Sequence, residues 1–383
     1  MPPSLRPVAV AFVAMGSFIG AWAVVAADVE HALGIGHGGF GLLLAVALTG
    51  TAAMGAASGT LVERWGVARV LSAGAASFAV SVGLLGLAGG SGSFPVLALV
   101  IVAIFASSGV LDVAMNVAAT AVLVDEPGRL VRFHAFFNAG AAAGAGLTAV
   151  IVHVTDEWRL AFVVPVLALA IASLAGARAH VPVGESGEHH GILHALRTVR
   201  AEGLFLLAGV FALGAMVEGG IDTWGVLVLR DQLAVGIVVG AAAQTLGQAV
   251  AAAARATLGP IAGSLGTVRG IAIGSGLAAV GLLMLAVGPK PLAIAGIVLG
   301  AAGVSVCWPL LLAHASQGLA RPAGVISGVT AIGYLGFVLG PALIGALANL
   351  TGLRNALLVL ALAATVVAVA PRWLRPAGPQ SPD

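Results

Sequence analysis

Apolar stretches of membrane-spanning length recur twelve times along this chain of 383 residues. A helix needs about 17–25 predominantly apolar residues to cross the hydrocarbon core of a bilayer. The sequence therefore predicts an all-α integral membrane protein with twelve transmembrane helices. The predicted spans are Val8–Ala27, Gly41–Leu61, Ala68–Leu87, Val96–Val122, Ala135–Val152, Leu160–Ala177, Leu204–Val228, Leu233–Ala253, Val268–Val287, Ile294–His314, Gly324–Ala348 and Ala356–Val369.

The residue content of the chain supports lipid as its main solvent and excludes several classes of function. Charged residues make up 8% of the chain and the mean hydropathy is +1.10, whereas a soluble domain carries about 25% charged residues. The net charge of +2 is too small to indicate a nucleic-acid partner. The single Cys307 excludes an intramolecular disulfide and a multi-cysteine metal site. The sequence contains no Ser/His/Asp constellation, metal cluster or phosphate-binding glycine loop, so we expect neither an enzyme nor a cofactor.

One long polar segment, residues 180–200, divides the spans six and six. We interpret it as a cytoplasmic linker between two six-helix bundles, residues 1–179 and residues 201–383. His189 and His190 lie in this segment, but no further ligands with metal-site spacing accompany them. A solvated linker is therefore the preferred interpretation.

Arginine placement predicts the orientation of the chain in the membrane. With the N-terminus inside, thirteen basic residues fall on the cytoplasmic side and four on the opposite side. Cytoplasmic segments carry an excess of Lys and Arg, so both termini are expected in the cytoplasm. Lys290 is the one lysine, which hints at a GC-rich bacterial source and hence at the bacterial inner membrane.

Acidic residues inside the apolar spans are the leading functional candidates. Asp112 and Asn116 lie four residues apart, so they share one face of the fourth span. A carboxylate at the centre of a membrane helix costs about 2.5–3.5 kcal/mol, so Asp112 must face the bundle interior, either as a proton site or as a structural acid tied to Asn116. Glu218 and Asp222 share a face of the seventh span. At 1.5 Å per residue Glu218 lies about 21 Å from Leu204, which makes it the second proton candidate, with Asp222 nearer the outer mouth.

Several embedded polar and aromatic residues are candidates for contacting a solute. Asn138 and His134 are four apart in the fifth span, as are Gln244 and Gln248 in the eighth. Amides can equally hydrogen-bond neighbouring helices, and His134 is more simply explained as a helix-end residue bonded to a loop. The predicted substrate-binding residues are Trp22, Asn116, Asn138, Asp222, Gln244, Gln248, Trp308 and Tyr334.

An internal repeat supports the division into two halves. The segment Gly59-x-Leu61-x-Glu63-Arg64-x-Gly66-x-x-Arg69 follows the second span, and a second copy with Gly259, Gly266 and Arg269 follows the eighth at an offset of 200 residues. The glycines permit a tight turn between helices. The second copy has Gly263 where the first has Glu63.

This segment resembles the signature loop between helices two and three of the major facilitator superfamily, with Glu63 in place of the usual Asp. The resemblance implies the major facilitator fold and a gating function for Gly59, Glu63, Arg64, Gly66 and Arg69. A narrower similarity links the chain to the fucose permease-like sugar–proton symporters. It rests on Gly109-x-x-Asp112-x-x-x-Asn116, Phe137-Asn138-x-Gly140, Glu218-Gly-Gly-Ile-Asp222-Thr-Trp224 and Gly333-Tyr334-Leu-Gly336-Phe337.

Together these patterns predict a secondary active transporter that works by alternating access, as a monomer in the lipid bilayer. The leading hypothesis is proton-coupled symport of a sugar or related metabolite, with Asp112 and Glu218 carrying protons. The chain departs from the symporter pattern in two respects: Asp112 replaces the usual Glu, and the first span has no acid before Asp28. The alternative is a proton-driven exporter of drugs or metabolites.

Overall fold

A computed structural model describes residues 5–123, 127–178, 199–200, 204–315 and 322–372. Almost all of these residues are helical, and most of the predicted linker lies outside them. The helices are α1 (Arg6–Leu33), α2 (His37–Trp65), α3 (Val67–Ala88), α4 (Phe94–Leu123), α5 (Pro127–Phe133), α6 (Ala135–Thr155), α7 (Val163–Ala177), α8 (Phe205–Leu227), α9 (Ile237–Leu265), α10 (Thr267–Val287), α11 (Lys290–Val304), α12 (Cys307–Ala315), α13 (Pro322–Thr351) and α14 (Leu353–Val369).

The prediction of twelve transmembrane helices is confirmed. Twelve helical spans in the described part of the chain are long and apolar enough to cross a membrane; one combines α7 with the preceding 3-10 turn (Trp158–Ala177), and another combines α11 with most of α12 (Lys290–Leu312). Most extend beyond the predicted spans by a few residues, because polar residues such as His37 and Glu63 continue the helix past the apolar stretch. Many large apolar side chains on the outer faces are exposed, among them Leu350 at 81%. Such a surface suits lipid rather than water.

Glycines with positive φ make the sharp turns between neighbouring helices. Gly66 (φ 82°) joins α2 to α3, and Gly266 (φ 75°) joins α9 to α10. An L-residue with a side chain rarely adopts this conformation, so the repeat predicted from the sequence has the same turn in both copies. Gly59, by contrast, lies buried inside α2 rather than in the turn.

Helices α1–α7 pack mainly among themselves, as do α8–α14. In the first group α1 packs against α6, α2 and α3 against α4, and α7 against α3 and α1. In the second group α13 packs against α8, and α10 against α11 and α14. The groups meet where α2 contacts α13, α6 contacts α9, and α1 contacts α8. Most of the functional candidates are carried by these contacting helices and by α4, while Trp308 lies on α12 and Arg69 on α3.

The contact between α2 and α13 is close enough to require glycine. A Cβ atom built on Gly41 would lie 2.2 Å from the backbone oxygen of Pro341, and one on Gly345 would lie 2.4 Å from the oxygen of His37. Real Cβ atoms do not approach this closely. The glycines therefore let the two groups close at the end of the bundle where α2 begins.

Replacing Gly41 with alanine is expected to open this end of the bundle, because the methyl group and the Pro341 carbonyl cannot occupy the same space. Spin labels at Gly36 and Leu350, both exposed, would report a larger population of long distances than in the parent protein. Gly50→Ala on the same helix is the matched control, since its Cβ would meet Ala106 at an ordinary 3.5 Å. Identical distance distributions for Gly41→Ala and the parent protein would contradict the expectation.

Candidate functional site

Asp112 joins the two groups of helices at the centre of the molecule. Its Oδ2 accepts a hydrogen bond of 2.9 Å from the hydroxyl of Tyr334 on α13. Its Oδ1 accepts a bond of 3.0 Å from Nδ2 of Asn116, one turn later on α4. The same Asn116 amide also donates to the backbone oxygen of Asp112 at 2.9 Å. Asp112 thus has neutral donors as its described partners, and one of them belongs to the other half of the chain.

His134 lies beside this group, just before α6 begins. Its Nδ1 is 2.9 Å from the backbone oxygen of Leu130 in α5, and its Nε2 is 3.2 Å from Oδ1 of Asn116. Burial lowers the pKa of His134 to about 4, and the charge of Arg255 adds to the lowering. The ring is therefore neutral at pH 7. His134 lies at a helix end as predicted, but its backbone partner belongs to the short helix α5 rather than to a loop.

Arg255 organises a second polar group between α6, α8 and α9. Its guanidinium contacts Oε1 of Glu218 at 2.8 Å and Oδ1 of Asn138 at 2.8 Å, and its Nε donates to the backbone oxygen of Ser305 at 3.0 Å. Arg255 is 7% exposed. A buried charge needs a partner and hydrogen bonds to offset its desolvation, and Arg255 has both.

Amide side chains extend this group from Asn138 to Asp222. Nδ2 of Asn138 donates to Oε1 of Gln248 at 2.6 Å, and Nε2 of Gln248 donates to Oδ1 of Asp222 at 2.8 Å. Gln244 donates to the same oxygen at 3.2 Å. Asp222 turns toward α9, where its partners are two amides. We call Asn138, Glu218, Asp222, Gln244, Gln248 and Arg255 the Arg255 network.

A small cavity adjoins the Arg255 network. It has room for about one water molecule and is lined by Asn138, Glu218, Ile221, Asp222, Gln248, Ala251, Ala301, Val304 and Ser305. Sites for small molecules usually hold about 300–1,000 Å³. The halves are therefore closed around the centre in this conformation.

One buried polar atom beside the lining residue Asp222 lacks a partner among the residues that the structure describes. It is Oε1 of Gln244, whose Nε2 donates to Asp222. Gln244 is 0% exposed. A buried acceptor without a donor costs about 1–3 kcal/mol, so this amide oxygen is suited to receive a hydrogen bond from a group that the protein itself does not supply here.

An aromatic cluster of the second half, formed by Phe211, Trp308, Tyr334 and Phe337, lies beside Asp112. The ring of Trp308 lies 5.8 Å from that of Tyr334 and 5.7 Å from that of Phe337, and it packs edge-on against Phe211 at 4.1 Å. Tyr334 thus links the aromatic cluster to Asp112. Phe211 and Phe337 are the members of this cluster that the predicted site omits.

Trp22 lies in a separate aromatic cluster of the first half. It is 4% exposed and stacks on Phe40 at 6.2 Å, with Phe105 edge-on at 5.5 Å. These contacts are those of a core residue. The prediction that Trp22 touches the solute therefore has less support than the predictions for Trp308 and Tyr334.

Ion pairs close the end of the bundle where α1 ends. Arg230 follows α8 and makes a two-point contact with the carboxylate of Asp28, with Nη2 3.0 Å from Oδ1. Its Nη1 also donates to the backbone oxygen of Val24 at 3.0 Å. Nearby, the backbone N–H of Gly38 donates to Oδ1 of Asn349 at 3.2 Å. Each contact joins one half of the chain to the other.

The predicted gate residues lie at the opposite end of α2. Glu63, Arg64 and Arg69 are exposed. Their gating function remains a prediction.

Arg255 is absent from the predicted site residues. Its position at the inner end of the eighth predicted span suggests a side chain that reaches toward the interface or pairs with an acid, and the structure shows a largely buried pair with Glu218. The signal was present in the spacing: Gln244, Gln248 and Arg255 are four and seven residues apart, which places them on one face of a helix.

Comparison with known proteins gives consistent results. The family profile described as Major Facilitator Superfamily matches residues 8–334. An uncharacterized MFS-type transporter of Yersinia pestis is 28% identical over 375 residues, covering 94% of this chain and 93% of that protein. An uncharacterized transporter of Sinorhizobium fredii (strain NBRC 101917 / NGR234) is 31% identical over 378 residues, covering 95% and 96%.

Solved structures share the fold at low sequence identity. The D-xylose-proton symporter superposes with a TM-score of 0.76 at 14% identity, covering 98% of each chain. The nucleoside transporter NupG superposes with a TM-score of 0.72 at 15% identity, covering 97% of this chain and 99% of that one.

Proposed function

Because the chain belongs to the Major Facilitator Superfamily, and is thus a transporter rather than an enzyme, we propose that it carries a small polar solute together with protons. The observation that carries the proposal is the position of Asp112, an embedded carboxyl whose described partners are neutral and which contacts Tyr334 across the two halves. A second proton residue, Glu218, was proposed from the sequence. The domains we propose are the two bundles, residues 1–179 and 201–383, joined by a cytoplasmic linker.

The coupling follows from the charge of Asp112. As a carboxylate in the centre of the bundle it accepts from both Tyr334 and Asn116, which holds α4 to α13. A proton on the carboxyl removes the charge that strengthens these bonds, so the halves part more easily when Asp112 is protonated. A ligand that binds one conformation better than the other shifts the population toward it, and a proton at Asp112 acts as such a ligand.

The chemistry of the centre favours a solute with several hydroxyl groups. The Arg255 network offers amide donors and acceptors, and Oε1 of Gln244 lacks a donor among the described residues. The aromatic cluster around Trp308 and Tyr334 offers aromatic faces. Hydroxyl groups both donate and accept, and sugar rings pack on aromatic faces. A sugar or related metabolite is the proposed solute, as in the fucose permease-like branch. The similar D-xylose-proton symporter and nucleoside transporter carry solutes of this general kind.

The proposed orientation places the chain in the bacterial inner membrane with both termini in the cytoplasm. The end closed by Asp28 and Arg230 then faces the periplasm, and the exposed Glu63, Arg64 and Arg69 face the cytoplasm. In this orientation the conformation described has its periplasmic gate closed.

The test is a screen for solute-driven proton movement. Purified protein in liposomes with a pH-sensitive dye inside would be exposed to sugars, sugar acids, nucleosides and other small polar metabolites, with protein-free liposomes in parallel. We expect one class of compound to acidify the interior. Alkalinisation would instead indicate an exporter that exchanges solute for protons. No response from folded protein to any compound would count against proton coupling.

A further inference from the structure

We propose that Asp222 is a proton-binding carboxyl, protonated at neutral pH in this conformation, and that Glu218 stays ionised as the fixed partner of Arg255. The inference rests on the proposed function in assigning a proton to the same central site, but it changes which acid of α8 holds that proton.

The partners of the two acids differ in charge. Oε1 of Glu218 lies 2.8 Å from the guanidinium of Arg255, so its negative charge is neutralised. The described partners of Asp222 are the amides of Gln244 and Gln248, which carry no net charge. An opposite charge nearby favours the ionised form of a carboxyl, and burial without one favours the neutral form.

The charges facing Asp222 reinforce this difference. Glu218, one turn earlier on the same helix, disfavours a negative charge on Asp222 because its own charge has the same sign. Arg255 on α9 acts in the opposite sense, but Glu218 and Asn138 already bind it. The hydroxyl of Tyr334 on α13 is directed to Asp112. Beyond the end of α8, Arg230 is paired with Asp28. Each cation near Asp222 thus has another acid as its partner.

Gln244 provides an independent observation. Its amide donates to Oδ1 of Asp222 at 3.2 Å, while its own Oε1 is buried and has no partner among the described residues. The nitrogen and oxygen of an amide exchange places when the group turns over. In that orientation Oε1 of Gln244 accepts the bond from a protonated Asp222, and Gln248 still donates to the carboxyl. Gln244 can therefore hydrogen-bond Asp222 in either protonation state, whereas Arg255 only donates and is suited to an ionised Glu218.

The proton reaches Asp222 from water admitted when α6 separates from α9. The carboxylate takes a proton from hydronium, which leaves water, and the reverse step releases the proton when the site opens again. With Asp112 in the first half, each half of the molecule then contains one carboxyl whose described partners are uncharged.

Infrared spectroscopy of the full-length protein in lipid, without any solute, tests this assignment. A protonated carboxyl absorbs above the amide I band, and ¹³C-labelling of the aspartate carboxyl carbon shifts the aspartate signals only. At pH 7 we expect a label-sensitive band that loses one component in Asp222→Asn. Glu218→Gln should remove no label-insensitive component, because Glu218 is already ionised, but it should weaken the Asp222 component, because it frees Arg255 and removes the neighbouring negative charge.

Three outcomes would overturn the inference. They are a wild-type spectrum without a label-sensitive band, an Asp222→Asn spectrum identical to wild type, and a label-insensitive band that Glu218→Gln removes. If Asp222→Asn does not fold, Asp112→Asn provides the test. A label-sensitive band that persists in Asp112→Asn supports the assignment to Asp222, since Asp28 is paired with Arg230; loss of the band would contradict it. Failure of the solute screen would overturn proton coupling without changing these spectra, so the two proposals fail separately.

Discussion

Replacing Asp112 with asparagine is expected to reduce solute-driven proton movement at least about tenfold. Solute exchange across the membrane should stay within about twofold of the wild-type rate. Asparagine has nearly the shape of aspartate, and its oxygen can still accept from the hydroxyl of Tyr334. It cannot take up a proton. Exchange of one solute molecule for another does not require the proton to leave, whereas proton-driven accumulation does.

The measurement uses the compound that acidifies liposomes in the screen, with dye fluorescence for protons and labelled compound for exchange. Asp156→Asn is the matched control: Asp156 is exposed at the end of α6 and has φ 54°, a conformation that asparagine tolerates. We expect this control to behave as wild type. Persistence of proton movement in Asp112→Asn would remove Asp112 from the coupling mechanism. Loss of exchange as well would indicate a role in binding or folding instead.

Replacing Arg255 with glutamine is expected to cost about 3–5 kcal/mol of stability, because it leaves Glu218 as an unpaired acid in a largely buried position. The guanidinium also holds Asn138 and the backbone of Ser305, so the site loses its organisation together with its charge balance. We expect the Tm of the purified protein to fall and solute transport to be lost. Substitution of Glu218 alone should also lower the Tm, since it leaves Arg255 unpaired.

The double variant Arg255→Gln with Glu218→Gln separates charge from packing. Removing both charges leaves two amides that can bond each other, so its Tm should lie above that of Arg255→Gln. Coupled residues deviate from additivity by about 0.5–3 kcal/mol. Arg159→Gln is the control, because its pair with Glu157 is largely exposed and exposed pairs contribute little. Strictly additive Tm changes would show that the Arg255–Glu218 contact does not matter for stability.

Much of the fold was predictable because membrane insertion is a local requirement. Each span must be long and apolar by itself, so twelve stretches predict twelve helices, which the structure confirms. The turns at Gly66 and Gly266 were predictable for a similar reason, since backbone conformation at a turn depends on the residues in it. The pairs Asp112–Asn116 and Gln244–Gln248 follow from helical periodicity alone.

The composition of the site could be predicted only in part. Asp112, Asn138, Glu218, Asp222, Gln244, Gln248, Trp308 and Tyr334 all lie in the Arg255 network or around Asp112, while Trp22 packs in a separate aromatic cluster. Their neighbours distinguish them rather than burial, since Trp22 is about as buried as Gln248. A hydropathy pattern does not show which helix places a polar side chain opposite another. Arg255 was missed for this reason, since a position near a helix end suggests access to the interface.

By itself the sequence determined the number of helices, their apolar faces and the acids that cannot face lipid, because these depend on neighbours within a turn or two of one helix. Only the tertiary structure decided the partners of those acids. Tyr334 and Asp112 are 222 residues apart, and Arg255 and Glu218 are 37 apart. Both acids of α8 look alike in the sequence, yet one meets a guanidinium and the other two amides. That difference in charge arises from how α8 and α9 pack, and it determines which carboxyl can hold a proton.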